Sequence, residues 1–583
     1  MTVTSSNGCT AQDVVNIGYS STGITKYWAG SGSPLASLNY NGTNSNMNRA
    51  FNWSSSSSNY TPTSVPSICD DVEIQFVGDQ GTSSLYLGAE ARSNFSCRNM
   101  SVIQTNNGND IWIITAADGS TITVDGTATF VNNLVGYALD VCVGGGASQW
   151  IFNDAVSFAN TGAGNVNLFI GTLGNPSNSL VNSVGKTIFK GDVTFGPNVN
   201  NNLSYLSGDI IFDAFSTQTI SYNSANNLVL NSSNGNVLIG SSNTPTVTVS
   251  GTGAGSLLVG NNLTVKANAI LDLGNKILNR NTSGGIFTLN NGSVLKLGGS
   301  AGGQTGSNFP LNFSSLTIDP TSTVEYNALS TVNQTIFDVP LPGYGHLTLT
   351  NGTGSGATTK TAGGALDVRG NLTIGSNATF AAGTSLTHAI AGNWLNNGSF
   401  TFTTANTVLF NGANSATISG SSSTAFNNLS VDKGSSIATV LEATGPMSMN
   451  GNLTFTDGLF RLTHASSSAQ PGGSLTIPST AGIEINGGTL NPNFGSITNQ
   501  GLFRVISGSA TVGTSSGNAV NNQTGSTCNV QVGTLTVSGR LTATGGTVSQ
   551  SGGTITLCTV GNTDAGTANF DISSTSKDRK SHV

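Results

Sequence analysis

The sequence is poor in charge. Only 8% of its 583 residues are Asp, Glu, Lys or Arg, against about a quarter in ordinary soluble domains. The positive charges form no cluster, which argues against nucleic-acid binding because such binding needs a basic patch. No apolar run reaches the length of a membrane-spanning helix. The first residues (MTVTSSNGCTA) lack the basic and apolar segments of a signal peptide, and we expect that such a signal was removed or truncated.

Strong helix formers are also scarce. The chain has 76 glycines and is rich in Ser, Thr and Asn, all of which have low helix propensity. No apolar period of 3.6 residues persists, which excludes folds that alternate strands with helices. The hydrophobic fraction of 36% and the net charge of −7 are those of a chain that buries a core rather than of a disordered one. No Pro-rich or charged linker divides the chain, so a repetitive architecture fits better than a series of globular domains.

Cysteine is rare and dispersed. No two cysteines form a CxxC pair, which argues against zinc-binding and thioredoxin-like sites. Two interpretations stay open, namely disulfides in an oxidising compartment and buried thiols that fill core positions. The six residues are Cys9, Cys69, Cys97, Cys142, Cys528 and Cys558.

Short β-prone runs separated by Gly, Asn and Ser make up most of the chain. Each run has a few residues, is enriched in β-branched side chains and alternates in polarity, which predicts a half-buried strand. Examples are Val72–Val77, Ile111–Thr115, Thr121–Val124, Thr246–Val249, Leu347–Leu349 and Thr554–Leu557.

Internal similarity gives the strongest indication of the fold. Ile151–Phe158 (IFNDAVSF) is matched 37 residues later by Ile188–Phe195 (IFKGDVTF), and Ile211 begins a third copy. A second motif is a Gly-Asn-Leu-Thr type strand, at Asn262–Val265, Gly370–Ile374, Gly451–Phe455 and Gly533–Val537. A third motif, Gln218–Ile220, Gln334–Ile336 and Ala416–Ile418, is followed by the leucine strands Asn227–Leu230, His346–Leu349 and Asn428–Val431.

These repeats predict an all-β fold, a right-handed parallel β-helix with irregular coils over residues 71–560. Residues 1–70 would form an N-terminal cap, irregular insertions would lie near 300–345, and 561–583 would be a tail. With about 4.8 Å per coil the helix would be on the order of 100 Å long. Phe152, Phe158, Phe189 and Phe195 are expected to point inward. Tandem β-sandwich domains are the alternative, although the Cys, Trp and Tyr landmarks of such domains show no regular period.

Three segments resemble a known family. FNWSSSSSNYTPTSVPSICDDVEI (51–74) resembles the start of the β-helical region in large secreted surface proteins of Bacteroidetes bacteria. GNLTIGSNATFAAGTSLTHAIAGNW (370–394) and TVLFNGANSATISGSSSTAFNNLSV (407–431) are similar to the repeats that follow it. The resemblance implies an adhesin-like protein exported by the type IX system. The family's C-terminal sorting domain has no counterpart in the final residues, ISSTSKDRKSHV, so the export route and the completeness of the chain stay open.

Few side chains are candidates for chemistry. Asp71 and Glu73 share a strand face and could hold Ca²⁺ with further oxygen ligands, although a solvated strand start is the simpler interpretation. Asp70 and Asp71, as neighbours, point to opposite faces and do not form the carboxylate pair of a glycosidase. Asp367 and Arg369 lie on one strand face, as in a lyase, but surface ion pairs of this kind are common.

Other residue types offer less. The histidines are isolated in sequence from any cysteine or second histidine: His346, His388, His464 and His582. Ser54–Ser58 and Ser421–Ser423 are predicted loops without a nucleophile motif. Thr-x-Thr pairs at 121/123, 246/248 and 554/556 suggest an ice-binding face, but such a face needs the pairs at one place in successive coils, and in sequence they are scattered.

The sequence therefore predicts a non-enzymatic, extracellular structural or adhesive protein of the cell surface, a stalk or adhesin segment. The alternatives are a polysaccharide lyase or glycosidase on the same scaffold and a fibre like a phage tail spike. We predict no catalytic, cofactor-binding or metal-binding residues, and no deep pocket that holds three ionisable groups. Surface glycans or other cell-surface components are the expected partners, with no nucleic acid and no membrane span.

Overall fold

A computed structural model describes most of the chain between residues 65 and 560 and short strands outside it. The described residues are 65–77, 87–91, 93–105, 111–115, 119–133, 139–142, 148–160, 166–167, 170–171, 185–197, 199–200, 208–230, 235–329, 331–352, 356–490, 495–513 and 518–560, with 2–4, 10–12, 25–28, 53–54, 570–572 and 577–580. They lie in strands, turns and loops, and no helix occurs among them.

The chain divides into two compact units. Unit 1 comprises Met1–Lys296, Gly302–Gln304 and Asn308–Thr317, and unit 2 comprises Leu297–Ala301, Thr305–Ser307 and Ile318–Val583. Each is built from short strands that stack in parallel from one coil to the next, as in a right-handed parallel β-helix.

Two long stacks of strands dominate unit 1. Sheet 1 contains Phe95–Cys97, Thr121–Val124, Gln149–Phe152, Lys186–Phe189, Asp209–Phe212, Val237–Ile239, Leu263–Val265, Gly284–Leu289 and Phe313–Ile318. Sheet 2 contains Asp71–Val77, Met100–Thr105, Ala128–Asn132, Val156–Asn160, Val193–Phe195, Thr217–Tyr222, Thr246–Ser250, Ile270–Asp272 and Val294–Leu297.

A third side of unit 1 is made of shorter stacks. These are Leu87–Ala91, Ile111–Thr115, Leu139–Cys142 and Ile170–Gly171; Val166–Asn167 with Val199–Asn200; and Leu228–Val229, Leu257–Val259 and Leu278–Arg280. The remaining strands are Thr2–Thr4 with Thr10–Gln12, which pair antiparallel, and Thr25–Trp28, which pairs with Trp53–Ser54 and Asp71–Val77.

Unit 2 repeats this plan. Sheet 3 contains Thr323–Tyr326, His346–Leu349, Leu372–Ile374, Trp394–Asn396, Ala416–Ser419, Val440–Ala443, Leu453–Leu462, Ala481–Leu490, Leu502–Val512, Thr527–Val530, Thr547–Gln550 and Lys577–Lys580. Sheet 4 contains Thr424–Phe426, Met447–Met449, Ser468–Ala469, the ends of Ala481–Leu490 and Leu502–Val512, Thr534–Val537 and Thr554–Leu557.

Three further stacks complete unit 2. They are Gln334–Ile336, Thr358–Ala362, Ala378–Ala381 and Ser399–Thr401; Asp367–Val368, Thr387–Ile390, Thr407–Phe410, Asn428–Asp432 and the start of Leu453–Leu462; and Leu475–Ile477, Ile497–Asn499, Asn518–Gln523, Arg540–Thr544 and Phe570–Ile572.

The predicted fold class is confirmed, and the parallel pairing excludes tandem β-sandwiches, whose sheets are antiparallel. The sequence repeat of unit 1 is a structural repeat. Ile151 pairs with Ile188 and then Ile211, and Phe158 pairs with Phe195. The Phe152 and Phe189 rings stack 5.4 Å apart, and Phe189 stacks on Phe212 at 5.6 Å.

The four phenylalanines predicted to point inward are buried. They point inward because alternate residues of a strand face opposite sides of the sheet. Their equal offsets in successive coils place the rings directly over one another.

The Gly-Asn-Leu-Thr type motif does not mark one side of the helix. Leu372 lies in sheet 3, Leu535 in sheet 4, and Leu453 in the stack that includes Asn428–Asp432. The motif instead marks the passage from a corner into a strand. Its Leu is buried in each case.

Asparagine side chains join the corners of successive coils. Asn371 Oδ1 accepts a hydrogen bond from the Asn393 backbone N–H, and Asn393 Oδ1 accepts one from Thr417, both at 2.9 Å. These bonds satisfy backbone donors at corners, where the strand ladder ends. Gly420 has φ +123°, and a Cβ there would overlap the Asn396 carbonyl oxygen, so only glycine fits this corner.

Both interpretations of the cysteines apply. Cys69 is disulfide-bonded, whereas Cys97 and Cys528 are buried free thiols and Cys558 is a half-buried one. Burial raises the pKa of Cys528 to about 12. The side chains of Cys9 and Cys142 lie outside the described residues.

Candidate functional site

Asp367 and Arg369, the candidate lyase pair, lie at a corner of unit 2. The Arg369 guanidinium donates hydrogen bonds to the backbone carbonyl of Ile318 and, from Nε at 3.3 Å, to that of Tyr344. These carbonyls belong to two different earlier coils. Burial raises the pKa of Asp367, and the positive charge of Arg369 opposes that rise. Arg369 is therefore engaged in holding the backbone of three coils together.

One further carboxylate approaches this corner. The Asp319 carboxylate accepts hydrogen bonds from the Thr321 hydroxyl at 2.6 Å and the Thr321 N–H at 2.8 Å. These bonds, and to a smaller extent the charge of Arg369, lower the pKa of Asp319. Asp319 and Asp367 thus both lie within electrostatic range of Arg369, but Asp319 is bonded to Thr321 and Arg369 to backbone carbonyls. That no deep pocket holds three ionisable groups stays a prediction.

The histidines lie apart, at separate points of unit 2. His388 is buried, its Nδ1 accepts the Leu366 N–H at 3.2 Å, and its Nε2 lies 2.8 Å from the Ala382 carbonyl oxygen. His346 Nδ1 accepts the Asn371 N–H at 2.9 Å, and His464 Nδ1 accepts that of Ser466 at 3.1 Å. Burial lowers the pKa of His346 and of His388. His582 lies outside the described residues.

The candidate calcium ligands begin sheet 2. Asp71 and Glu73 share the outer face, as expected, because Val72 and Ile74 between and beyond them are buried. Arg98 binds both Asp71 oxygens, at 2.8 and 2.7 Å, and Asn99 donates a third bond at 2.8 Å. These contacts, led by the Arg98 hydrogen bond, lower the pKa of Asp71.

Asp70 is similarly occupied, since one carboxylate oxygen accepts the N–H and hydroxyl of Ser67, both at 2.9 Å. Among the described residues, no group of three His, Cys, Asp or Glu is arranged to hold a metal ion.

Ser421–Ser423 lie in a turn, where the N–H and hydroxyl of Ser421 bond to Asn397 Oδ1 at 2.9 and 3.1 Å. Of Ser54–Ser58, only the backbone of Ser54 is described, and it lies in the strand Trp53–Ser54.

Sequence analysis missed an ionic ladder on sheet 3. Glu442, Arg461, Glu484 and Arg504 occupy one register position in four successive coils. Glu484 is buried, with Oε1 2.5 Å from Arg461 Nε and Oε2 2.8 Å from Arg504 Nε. The Glu442 and Arg461 side chains approach to 3.9 Å. No local motif marks the ladder, because its members are about 20 residues apart.

Two buried lysines were also missed. Lys360 Nζ donates to Gln334 Oε1 at 2.7 Å, and Lys433 Nζ donates to the carbonyls of Ala391 and Asn411 at 2.7 and 2.5 Å. Both side chains are fully buried. Their hydrogen-bond acceptors are uncharged, so burial lowers the pKa of each to about 8.

The three Thr-x-Thr pairs singled out in the sequence are scattered in the structure too, with 121/123 on sheet 1, 246/248 on sheet 2 and 554/556 on sheet 4. Two of them nevertheless stack on a further pair that the sequence did not reveal. Thr246 and Thr248 pair with Thr217 and Thr219 of the preceding coil of sheet 2. In sheet 4, Thr554 and Thr556 pair with Thr534 and Thr536, which pair in turn with Ser509 and Thr511. Hydroxyl pairs thus stack in successive coils within sheet 2 and within sheet 4, and variable corner lengths hide this constant register in the sequence.

Comparison of the chain with protein-family models, with curated proteins and with solved structures found no match. The described residues include no helix long and apolar enough to cross a membrane.

Proposed function

We propose that the chain is an extracellular structural or adhesive protein of the cell surface, a stalk or adhesin segment rather than an enzyme. The observation that carries the proposal is that charged side chains bind groups of neighbouring coils. In a chain this poor in charge, Arg369, Lys433 and the ladder centred on Glu484 all bind groups of neighbouring coils. Such side chains add cohesion along the stack of coils, which is the direction in which a stalk carries load.

The extracellular location has separate support. Cys69 is disulfide-bonded, and disulfides persist mainly in oxidising compartments. The resemblance to secreted surface proteins of Bacteroidetes points the same way, with surface glycans as the partners that we propose.

The proposal is tested by displaying the full chain on a non-adherent bacterium and measuring retention under shear flow on glass coated with surface polysaccharides. We expect more cells to be retained than with an empty display carrier. The same polysaccharides are incubated with the purified chain and assayed for new reducing ends and unsaturated uronates.

Turnover that is lost in Asp367→Asn or Arg369→Ala would overturn the proposal in favour of a lyase. Retention no greater than that of the empty carrier would overturn the adhesive role.

A further inference from the structure

Sheet 4 presents two parallel rows of hydroxyl groups. The first row consists of Ser448, Ser468, Thr489, Ser509, Thr534 and Thr554, each paired with the next. The second row, two residues further along the strands, consists of Thr511, Thr536 and Thr556. Neighbours within a row are separated by about 4.8 Å and the rows by about 6.7 Å, as strand geometry requires.

A rigid core supports these rows. In the coils before the last one, the residues that alternate with them are fully buried, namely Ala469, Leu490, Ala510, Val512, Leu535 and Val537. In the last coil Ile555 and Leu557 are half-buried. Their burial fixes which side chains face outward, since a shift of one residue would exchange the two faces. The hydroxyls are thus held at repeated positions in two directions.

The hydroxyls of both rows make no side-chain hydrogen bond to any described residue. Thr534, Thr554 and Thr556 are exposed and the others half-buried. A comparable row on sheet 2 of unit 1 differs, because Ser157 donates to Thr129 and the hydroxyls of Ser221 and Ser250 bond to each other, all at 3.4 Å. The sheet 4 hydroxyls therefore have their hydrogen-bonding capacity available to an external partner.

The charge of the face indicates what kind of partner this is. Neither row contains an ionisable side chain, and the positions two residues before the first row in the last four coils are Gly487, Ser507, Val532 and Gly552. The row on sheet 2, in contrast, begins beside Glu73, which pairs with Ser101. An uncharged face complements an uncharged ligand. No aromatic side chain stands in either row, so the stacking on which sugar rings rest is missing from these positions.

We propose that the two hydroxyl rows of sheet 4 form an ice-binding face. Water bound to hydroxyls at constant spacing is held in a repeated pattern, and an ordered lattice of water is the uncharged ligand that offers matching donors and acceptors in two directions. The threonine methyl groups add apolar surface beside the hydroxyls and carry no charge. This inference goes beyond the structural or adhesive role and does not depend on it.

The test measures the partition of the fluorescently labelled full chain into a slowly growing ice front. We expect the wild-type chain to enter the ice and the double variant Thr534→Lys/Thr536→Lys to be excluded to the level of a protein without ice affinity. Thr373→Lys is the matched control, because Thr373 also points outward from a strand of unit 2 but lies in sheet 3. It should partition like the wild type.

Folding of each variant is checked by circular dichroism and melting. If the lysine variant misfolds, Thr534→Val/Thr536→Val keeps the shape and removes the hydroxyls, and it should show a several-fold loss of partition. Exclusion of the wild-type chain from ice, or equal partition of the wild type and both double variants, overturns the proposal. Binding to crystalline cellulose that the double variants lose, without entry into ice, overturns it in favour of a polysaccharide face.

Discussion

Gln218 in unit 1 and Gln334 in unit 2 come from the same sequence motif and differ in one respect. Each side-chain amide donates from Nε2 to two backbone carbonyls of an earlier coil, Phe189 and Gly191 for Gln218 and Leu297 and Gly299 for Gln334. Gln334 Oε1 also accepts hydrogen bonds from Lys360 and from the Ala328 N–H. Gln218 Oε1 is buried without a partner among the described residues.

The difference arises in the next coil. Gln334 pairs with Lys360, whereas Gln218 pairs with Val247. Whether a buried polar group has a hydrogen-bond partner in this fold therefore depends on the residue stacked on it in the next coil, which is Lys360 for Gln334 and Val247 for Gln218. Aromatic rings stack in the core of unit 1, while the core of unit 2 also contains the buried ammonium groups of Lys360 and Lys433 and the buried imidazole of His388. The two units are expected to respond differently to substitution and to pH.

The largest effect is expected in the aromatic core of unit 1. Phe189 lies between Phe152 and Phe212, so Phe189→Ala leaves a cavity and should lower the free energy of unfolding by about 3–5 kcal/mol. Faster hydrogen exchange in Gln149–Phe152 and Asp209–Phe212 would locate the loss. Phe215→Ala is the control, since that ring is 89% exposed, and its effect should stay within about 0.5 kcal/mol. Equal effects of the two substitutions would contradict the stacked core.

The two glutamines give the next largest contrast. Gln334→Leu removes the acceptor of the buried Lys360 Nζ and should lower the free energy of unfolding by about 3 kcal/mol. Gln218→Leu removes only the bonds that Nε2 donates to the Phe189 and Gly191 carbonyls, because Oε1 has no partner among the described residues, so its cost should be about 1 kcal/mol. Urea unfolding measures both. The double variant Gln334→Leu/Lys360→Met should recover part of the loss, because it removes both partners, and a double variant worse than the single one would refute this explanation.

The buried lysines predict an unusual pH dependence. Their pKa in the folded protein is about 8, below the value near 10.4 of an unfolded chain. Between these values the unfolded chain binds more protons, so the free energy of unfolding should rise with pH. We expect a gain of about 2 kcal/mol for each of the two lysines between pH 7.5 and 9.5.

Above this window ionisation of tyrosine in the unfolded chain opposes the gain, because burial raises the pKa of Tyr326 to about 12 in the folded protein. Urea midpoints measured across the window test the prediction. Lys360→Met/Lys433→Met should flatten the profile, and a wild-type midpoint that falls as the pH rises would count against it.

Substitutions in the ionic ladder should change the free energy of unfolding least. The ladder also offers an internal control, because it contains a buried and a half-exposed glutamate. Glu484→Gln leaves the partly buried Arg461 and Arg504 without their shared carboxylate and should cost about 1–2 kcal/mol. Glu442→Gln removes a half-exposed partner 3.9 Å from Arg461 and should cost less than about 0.5 kcal/mol. Thermal unfolding at low and high salt separates the two, because screening should weaken the exposed pair more.

The fold and the aromatic core could be predicted because they depend on features that local sequence records. Period-2 alternation identified the strands, and the equal offsets of Phe152, Phe158, Phe189 and Phe195 identified their stacking. The sides of the helix could not be assigned in the same way, because the Gly-Asn-Leu-Thr type motif marks a corner and recurs on different sheets of unit 2.

Side-chain contacts between coils could not be predicted from the sequence either. The pairing of Gln334 with Lys360, or of Arg461 with Glu484, depends on the length of the corners that separate them. These lengths vary from coil to coil, so only the structure gives the register. The same variation hid the stacking of Thr217 and Thr219 on Thr246 and Thr248 in sheet 2, and of Thr534 and Thr536 on Thr554 and Thr556 in sheet 4.

Lys433 also affects which strands pair with one another during folding. A protein of similar stacked strands can slip by a whole coil during folding and still form a complete set of backbone ladder bonds. The Lys433 ammonium needs the carbonyl oxygens of Ala391 and Asn411, which belong to two different earlier coils. A slipped chain would bury this charge without its acceptors, at a cost of several kcal/mol. The buried lysine thus destabilises slipped alignments of the coils relative to the native one.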